Sequence, residues 1–333
     1  MERKHIVLSQ SQSLQQGQLA SIALPEDVLI TSIHINVRGN YTLGNSTLLD
    51  EAAANILTLI ELKDKSNRTL VSVSGKDLAR MMYYETNGFT NFTASGGNIN
   101  AHYVIDGPLI TGEKLLPPNN DFPDQGKFVA PMLNFRWATT SDILSSGTGT
   151  LDSATAKVAV EYAEVMPEEI TNMFGSSLEF YAWPHMRSFS SSTLPTTTNF
   201  QKALDLGSPL LLRSAVITVF DNAGARSNTA VSQLKLVKVD PSDEDLLRAD
   251  FSILQEENRN EYRVNPLTGV FYLNADKIRD ENRYPIGFHQ LDVTNRFRLE
   301  VINGSQCSIR WTAKEHILHP RALASKLIPR LSV

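Results

Sequence analysis

The chain has 333 residues, room for two domains of about 150 residues, each with its own core. Its 41% hydrophobic and 20% charged residues describe a globular protein and exclude a disordered one. A net charge of −5 gives no general attraction to nucleic acid, and the single Cys307 excludes an intrachain disulfide framework and a multi-cysteine zinc site.

Residues 1–20 read as an extended N-terminal arm, with a basic tip at Arg3 and Lys4 followed by a Ser/Gln-rich run. Only three apolar residues, Ile6 to Leu8, follow the tip, too few for the core of a secretion signal. No apolar run elsewhere approaches a membrane span. A soluble protein made in a reducing cytosol is therefore expected.

A first domain is expected over residues 21–166. Ile33, Ile35 and Val37 alternate with Ser32, His34 and Asn36, the period of a half-buried strand with His34 on its polar face. A β-rich stretch from Ile56 to Val73 turns at Asp64–Asn67 and runs into a helix over 75–84. Ser74-Gly75-Lys76-Asp77 has the Ser-x-x-Asp spacing that caps free backbone N–H groups at a helix start, and Leu78, Met81 and Met82 form one apolar stripe. Asn87-Gly88 supplies a left-handed stop. The Gly, Asn and Pro of 89–134 predict projecting loops with short strands, and 139–155 reads as a Ser/Thr/Gly loop. Strands resume at Phe135/Trp137 and at Val158, Val160 and Tyr162.

Residues 167–208 read as a connector, and a second domain is expected over 209–313. Shifted by 182 (211 minus 29), Leu29, Ser32, Ile35, Val37 and Asn40 fall on identical Leu211, Ser214, Ile217, Val219 and Asn222. Ile22 and Leu24 likewise meet Leu204 and Leu206. The strand at Leu234 and Leu236 changes phase at Val237, which predicts a bulge. Ser242-Asp243-Glu244-Asp245 repeats the capping signal and predicts an equivalent helix over 243–254. Later strands are expected at Val270–Leu273, Phe297–Val301 and Ile309/Trp311, with Cys307 a buried inert thiol. The tail 314–333 carries Lys314, Arg321, Lys326 and Arg330 against Glu315, with Leu323, Leu327 and Ile328 between, a short basic amphipathic segment.

Signs of catalysis are sparse. Gly147-Thr148-Gly149 lacks a strand-to-helix setting, Ser74-Gly75-Lys76 lacks the upstream glycine of a phosphate loop, and no Gly-x-Ser-x-Gly elbow occurs. His316 and His319 have no acidic pair with them, and Glu168-Glu169 and Asp243-Glu244-Asp245 are expected at helix starts. Neither an enzyme nor a bound cofactor or metal is expected, although carboxylates converging from distant strands could still form a glycosidase pair.

Strand, loop, paired strands, Ser-capped helix, long loops and closing strand, written twice, resemble the double jelly-roll major capsid proteins of adenoviruses and of tailless, membrane-containing icosahedral phages and archaeal viruses. Ile30–Thr42, Ile60–Tyr84, Leu211–Val231 and His289–Val301 carry the resemblance, which covers nearly the whole chain. It implies an all-β fold of two consecutive eight-stranded jelly-roll sandwiches, each with a short helix, and a homotrimeric, pseudo-hexameric capsomer in an icosahedral virion. Partners would be further copies of the chain, penton and minor capsid proteins and an internal lipid membrane, without specific nucleic-acid recognition. The protein would be made in the host cytoplasm, and Arg3, Lys4, Arg321, Lys326 and Arg330 would face a membrane or a neighbouring capsomer. The projecting loops are modest, so tall towers are not expected. The alternatives are a carbohydrate-binding or adhesin-type β-sandwich protein and a double jelly-roll glycan amidase.

Overall fold

The computed structural model describes residues 2–26, 28–63, 69–89, 91–110, 131–164, 182–206, 211–239, 243–275 and 297–318. They divide into two compact units, one holding Met1–Ala79 and Thr90–Pro184, the other Arg80–Phe89 and His185–Leu318.

The first unit contains β1 (Glu2–Ser13), β2 (Leu19–Ala23), β3 (Leu29–Thr42), β4 (Leu57–Lys63), β5 (Thr69–Val73), β6 (Thr93–Ser95), β7 (Asn98–Ile110), β8 (Met132–Trp137) and β9 (Thr150–Glu164). One of its sheets runs β1-β9-β3-β7-β6, and β5-β4-β8-β2 are neighbours in the other. Alternation does what the sequence predicts on β3: Ile33, Ile35 and Val37 are buried, while Asn36 and Arg38 are exposed. Ile60 and Leu62 of β4, Leu133 and Phe135 of β8, Tyr103 and Ile105 of β7 and Val158 and Val160 of β9 are buried as well. The Tyr103 hydroxyl donates to the Ala54 carbonyl at 2.9 Å, tying the short 3-10 turn Ala53–Asn55 to β7.

The second unit contains β10 (Ala182–Ser190), β11 (Thr197–Asp205), β12 (Leu211–Asp221), β13 (Gln233–Lys238), β14 (Glu244–Asp250), β15 (Val270–Asn274), β16 (Phe297–Asn303) and β17 (Cys307–Leu318). Here the neighbours are β10-β17-β12-β15 and β11-β16-β13-β14. Numbered from the start of each unit, and with the three-residue β6 set aside, these orders repeat those of the first unit strand for strand: β1-β9-β3-β7 becomes β10-β17-β12-β15, and β2-β8-β4-β5 becomes β11-β16-β13-β14. The core between the sheets includes Ile217, Val219, Leu234, Leu236, Leu273, Leu299, Val301, Ile309 and Trp311. With β6 set aside, the described residues of each unit thus form an eight-stranded jelly roll, as expected.

The helices α1 (Gly75–Glu85), α2 (Thr140–Ile143) and α3 (Phe251–Tyr262) complete the described elements. At the start of α1 the Ser74 hydroxyl donates to Asp77 at 2.7 Å and accepts the Asp77 N–H at 3.2 Å, so the predicted capping pair forms. The stop is also as predicted: Asn87 has φ 52°, Gly88 has φ 83°, and the Gly88 N–H reaches the Tyr83 carbonyl at 2.7 Å. Gly75 is required by space, since a β-carbon there would collide with the carbonyl oxygens of Ala54 and Leu57.

Several elements differ from expectation. The helix predicted over 243–254 begins only at Phe251; Glu244–Asp250 is β14, paired with β13 with the bulge foreseen between Leu236 and Val237. The acids that look like a helix start instead pair across the sheet, Asp243 with Arg298 at 2.6 Å and Asp245 with Lys235 at 2.9 Å. β7 runs for 13 residues where loops predominate in the sequence reading, and α2 with the start of β9 occupies the expected 139–155 loop. The expected arm holds β1, paired along β9, and the expected connector holds β10 and β11. Lys314 and Glu315, read as the start of the tail, belong to β17. The helix start expected at Glu168-Glu169 lies outside the described residues.

Candidate assembly surfaces

In a jelly roll one face of each sheet is turned away from the core, and in this chain those outward faces carry the polar chemistry. On β12, Ile217 and Val219 point inward, so Ser214, Val216 and Thr218 point outward. Val216 and Thr218 are nevertheless 1% exposed, because the second half of α1, which belongs to this unit, lies against them. Met81 and Tyr84 cluster with Val216, Val264, Val270 and Tyr272. The Tyr84 ring stacks on Tyr272 at 5.4 Å and meets Tyr262 edge-on at 5.9 Å, while its hydroxyl accepts the Leu267 N–H at 3.1 Å. Burial pushes the Tyr84 hydroxyl up to about 12, and that of Tyr272 higher still. Arg80 donates to the Thr218 hydroxyl at 3.3 Å and sits over the Phe220 ring at 5.8 Å. Glu85 accepts from Lys314 at 3.2 Å and from Ser214 at 3.4 Å.

The equivalent face of the first unit presents Ser32, His34, Asn36 and Arg38 of β3, flanked by His102 of β7 and by Lys157 and Glu161 of β9. Asn36, Arg38 and Lys157 are exposed. His102 Nε2 and His34 Nδ1 lie 3.1 Å apart, His34 Nε2 and the Ser32 hydroxyl 2.9 Å, and that hydroxyl donates to Glu161 at 2.9 Å. One proton arrangement satisfies all three contacts: His102 donates to His34, His34 to Ser32, and Ser32 to Glu161. Burial, and then the nearby His34, hold the His102 imidazole below its usual value of 6.5. The unfolded chain therefore takes up this proton first as pH falls, and the first unit loses stability below about pH 6.5 down through the folded value. Thermal melts between pH 7 and 5 should show that loss, and His102→Gln should shallow the slope; an identical slope in the variant contradicts the assignment.

Several further polar groups are matched into structural pairs. Glu315 of β17, 6% exposed, accepts from Arg187 of β10 at 2.8 and 3.2 Å and lies 3.2 Å from His185. On the outward face of β13 and β16, Lys235 lies 2.9 Å from Asp245 and 3.4 Å from Glu300, while Arg298 bridges Glu300 and Asp243. The Asp245 hydrogen bond chiefly holds Lys235 above the ordinary lysine value, so its amine stays a cation and a poor nucleophile. Cys307 is a buried free thiol, raised by burial, as its strand pattern suggests. Among the described residues no group of three or more His, Cys, Asp or Glu is placed to hold a metal ion.

Of the cationic residues expected to mark an inner face, Arg3 and Lys4 lie in β1, in register with Ala163 and Tyr162 of β9. Arg321, Lys326 and Arg330 lie outside the described residues, as do His319 and Glu168-Glu169. The sequence reading missed the packing of the second half of α1 on β12. Arg80 and Tyr84 lie off the Leu78/Met81/Met82 stripe, and the charge on Arg80 hides the burial of that face from a reading of apolar spacing.

No protein-family model matches the sequence, and no curated protein does. Solved structures do match. The STIV MCP aligns with TM-score 0.79 and 18% identity over 98% of this chain and 99% of that one. The chain in the atomic structure of Sulfolobus Turreted Icosahedral Virus gives 0.79 and 17% over 100% and 95%. The major capsid protein P2 of bacteriophage PM2 gives 0.55 and 14% over 96% and 99%. In its duplicated strand order and along its whole length, this chain has the double jelly-roll fold of those viral capsid proteins.

Proposed function

We propose that this chain is the major coat protein of an icosahedral virus, three copies forming a pseudo-hexagonal capsomer. The observation that carries this reading is the strand-for-strand duplication within one chain, shared end to end with capsid proteins. Six similar sandwiches from three chains approximate a hexagon, the shape that tiles a closed shell. The pairing of Lys235, Arg298 and Glu315 into ion pairs accords with a structural role. Neighbouring capsomers, penton and minor capsid proteins are the partners in this reading, and synthesis is in the host cytoplasm. In this reading the cations Arg3, Lys4, Arg321, Lys326 and Arg330 serve contact with an internal anionic membrane or a neighbouring capsomer; beside an anionic leaflet each would contribute about 1 kcal/mol of attraction.

Electron microscopy of concentrated, purified protein tests the reading. Hexagonal capsomers packed into arrays or shells are expected. A featureless dispersion of single subunits across salt and pH would contradict it, and cleavage by such subunits of the amide that joins a glycan to protein would favour the amidase alternative.

A further inference from the structure

The two units carry equivalent surfaces that are used unequally. α1 runs from its cap at Ser74 to a left-handed stop at Asn87, φ 52°, and α3 from its cap at Asp250 to a left-handed stop at Arg263, φ 53°. In both, cap and stop are 13 positions apart (87 minus 74, 263 minus 250), so Arg80, Met81, Tyr84 and Glu85 correspond to Glu256, Glu257, Asn260 and Glu261. The first three residues of the α1 set are buried against the outward face of β12 and β15; every residue of the α3 set is exposed. The outward face of β3, the counterpart of β12, is likewise open at Asn36 and Arg38. One helix half and one sheet face are thus joined, and their two counterparts are left without each other.

We infer that the exposed half of α3 in one copy docks on the outward face of β3, β7 and β9 in the next copy, repeating the packing of α1 on β12. The occupant is a second copy of this chain, and the inference rests on the self-association proposed above. Charge supports the match. Arg80 sits over Thr218 and Phe220, whose counterparts at the offset of 182 (218 minus 36) are Asn36 and Arg38. Glu256, which pairs with Arg259 at 2.9 Å on the surface of α3, takes the place of Arg80, so the cation–aromatic contact of the second unit becomes a Glu256–Arg38 ion pair between copies, with Arg259 beside it. Lys157 stands beside Asn36 in the register and adds a second cation. The far end is less favourable: Glu261 replaces Glu85, and Glu161 replaces its partner Lys314, a like-charge pair that weakens that end. Because different surfaces of two copies meet, each copy offers one helix and receives another.

Charge reversal tests the contact in the full-length protein, with circular dichroism confirming that each variant is folded. Arg38→Glu alone and Glu256→Arg alone should each weaken association about tenfold or more, and the double variant should restore it to within about threefold. Glu261→Gln should tighten it. A parent protein that stays monomeric would remove the self-association reading itself. A parent that associates while both single reversals associate equally well would leave that reading standing and overturn this contact.

Discussion

Replacing Tyr84 with alanine should destabilise the second unit by about 3–5 kcal/mol, the range for removing a large buried ring. The side chain is fully buried, stacked on Tyr272 and edge-on to Tyr262, in a cluster with Val216 and Val270. Tyr84→Phe separates the ring from its hydroxyl. It keeps the packing but leaves the Leu267 N–H without its acceptor, a loss of about 1–2 kcal/mol. Urea unfolding followed by tyrosine and tryptophan fluorescence should rank the variants parent, Phe, Ala. Equal midpoints for parent and alanine variant would show that the second half of α1 is dispensable to this unit.

Glu315→Ala should have the next largest effect, about 3 kcal/mol, because it removes the anion from a shielded ion pair and leaves the cation behind. Arg187 would lose both of its hydrogen bonds to the carboxylate, and His185 its neighbour at 3.2 Å. Arg187 would keep its contact with the Phe189 ring at 4.7 Å, which limits the loss. Adding Arg187→Ala to Glu315→Ala should destabilise by clearly less than the sum of the single changes, since each removes the same interaction. Additive losses in urea titrations of the four proteins would mean that the pair is not coupled.

What the sequence made legible follows from whether its cause was local. The alternation on β3 and β12, the Ser74–Asp77 cap, the Asn87-Gly88 stop and the bulge at Val237 are each written within a few residues, and each is present. The start of α3 was misplaced because Asp243 and Asp245 satisfy a helix-start pattern locally, while their partners Arg298 and Lys235 lie far away in sequence or on another strand. β10 and β11 were obscured by exposure: with partly open faces they bury few apolar side chains, among them Met186 and Leu204. β7 could have been read, since Ile99, Ala101, Tyr103 and Ile105 alternate cleanly beneath the glycines and asparagines around them. His34 was placed correctly on the polar face, but its bonds to Ser32 and His102 depend on strand register, which a single strand does not encode.

The mass of the purified protein in solution tests the proposed coat role most directly. A capsomer of three 37.0 kDa chains gives a particle of 111 kDa (three times 37.0), held by interfaces burying about 2,000 Å² or more per contact. Sedimentation at several concentrations and salt levels should show that species as the smallest stable form at high concentration. A single boundary at 37.0 kDa throughout, or a dimer that grows no further, would contradict it.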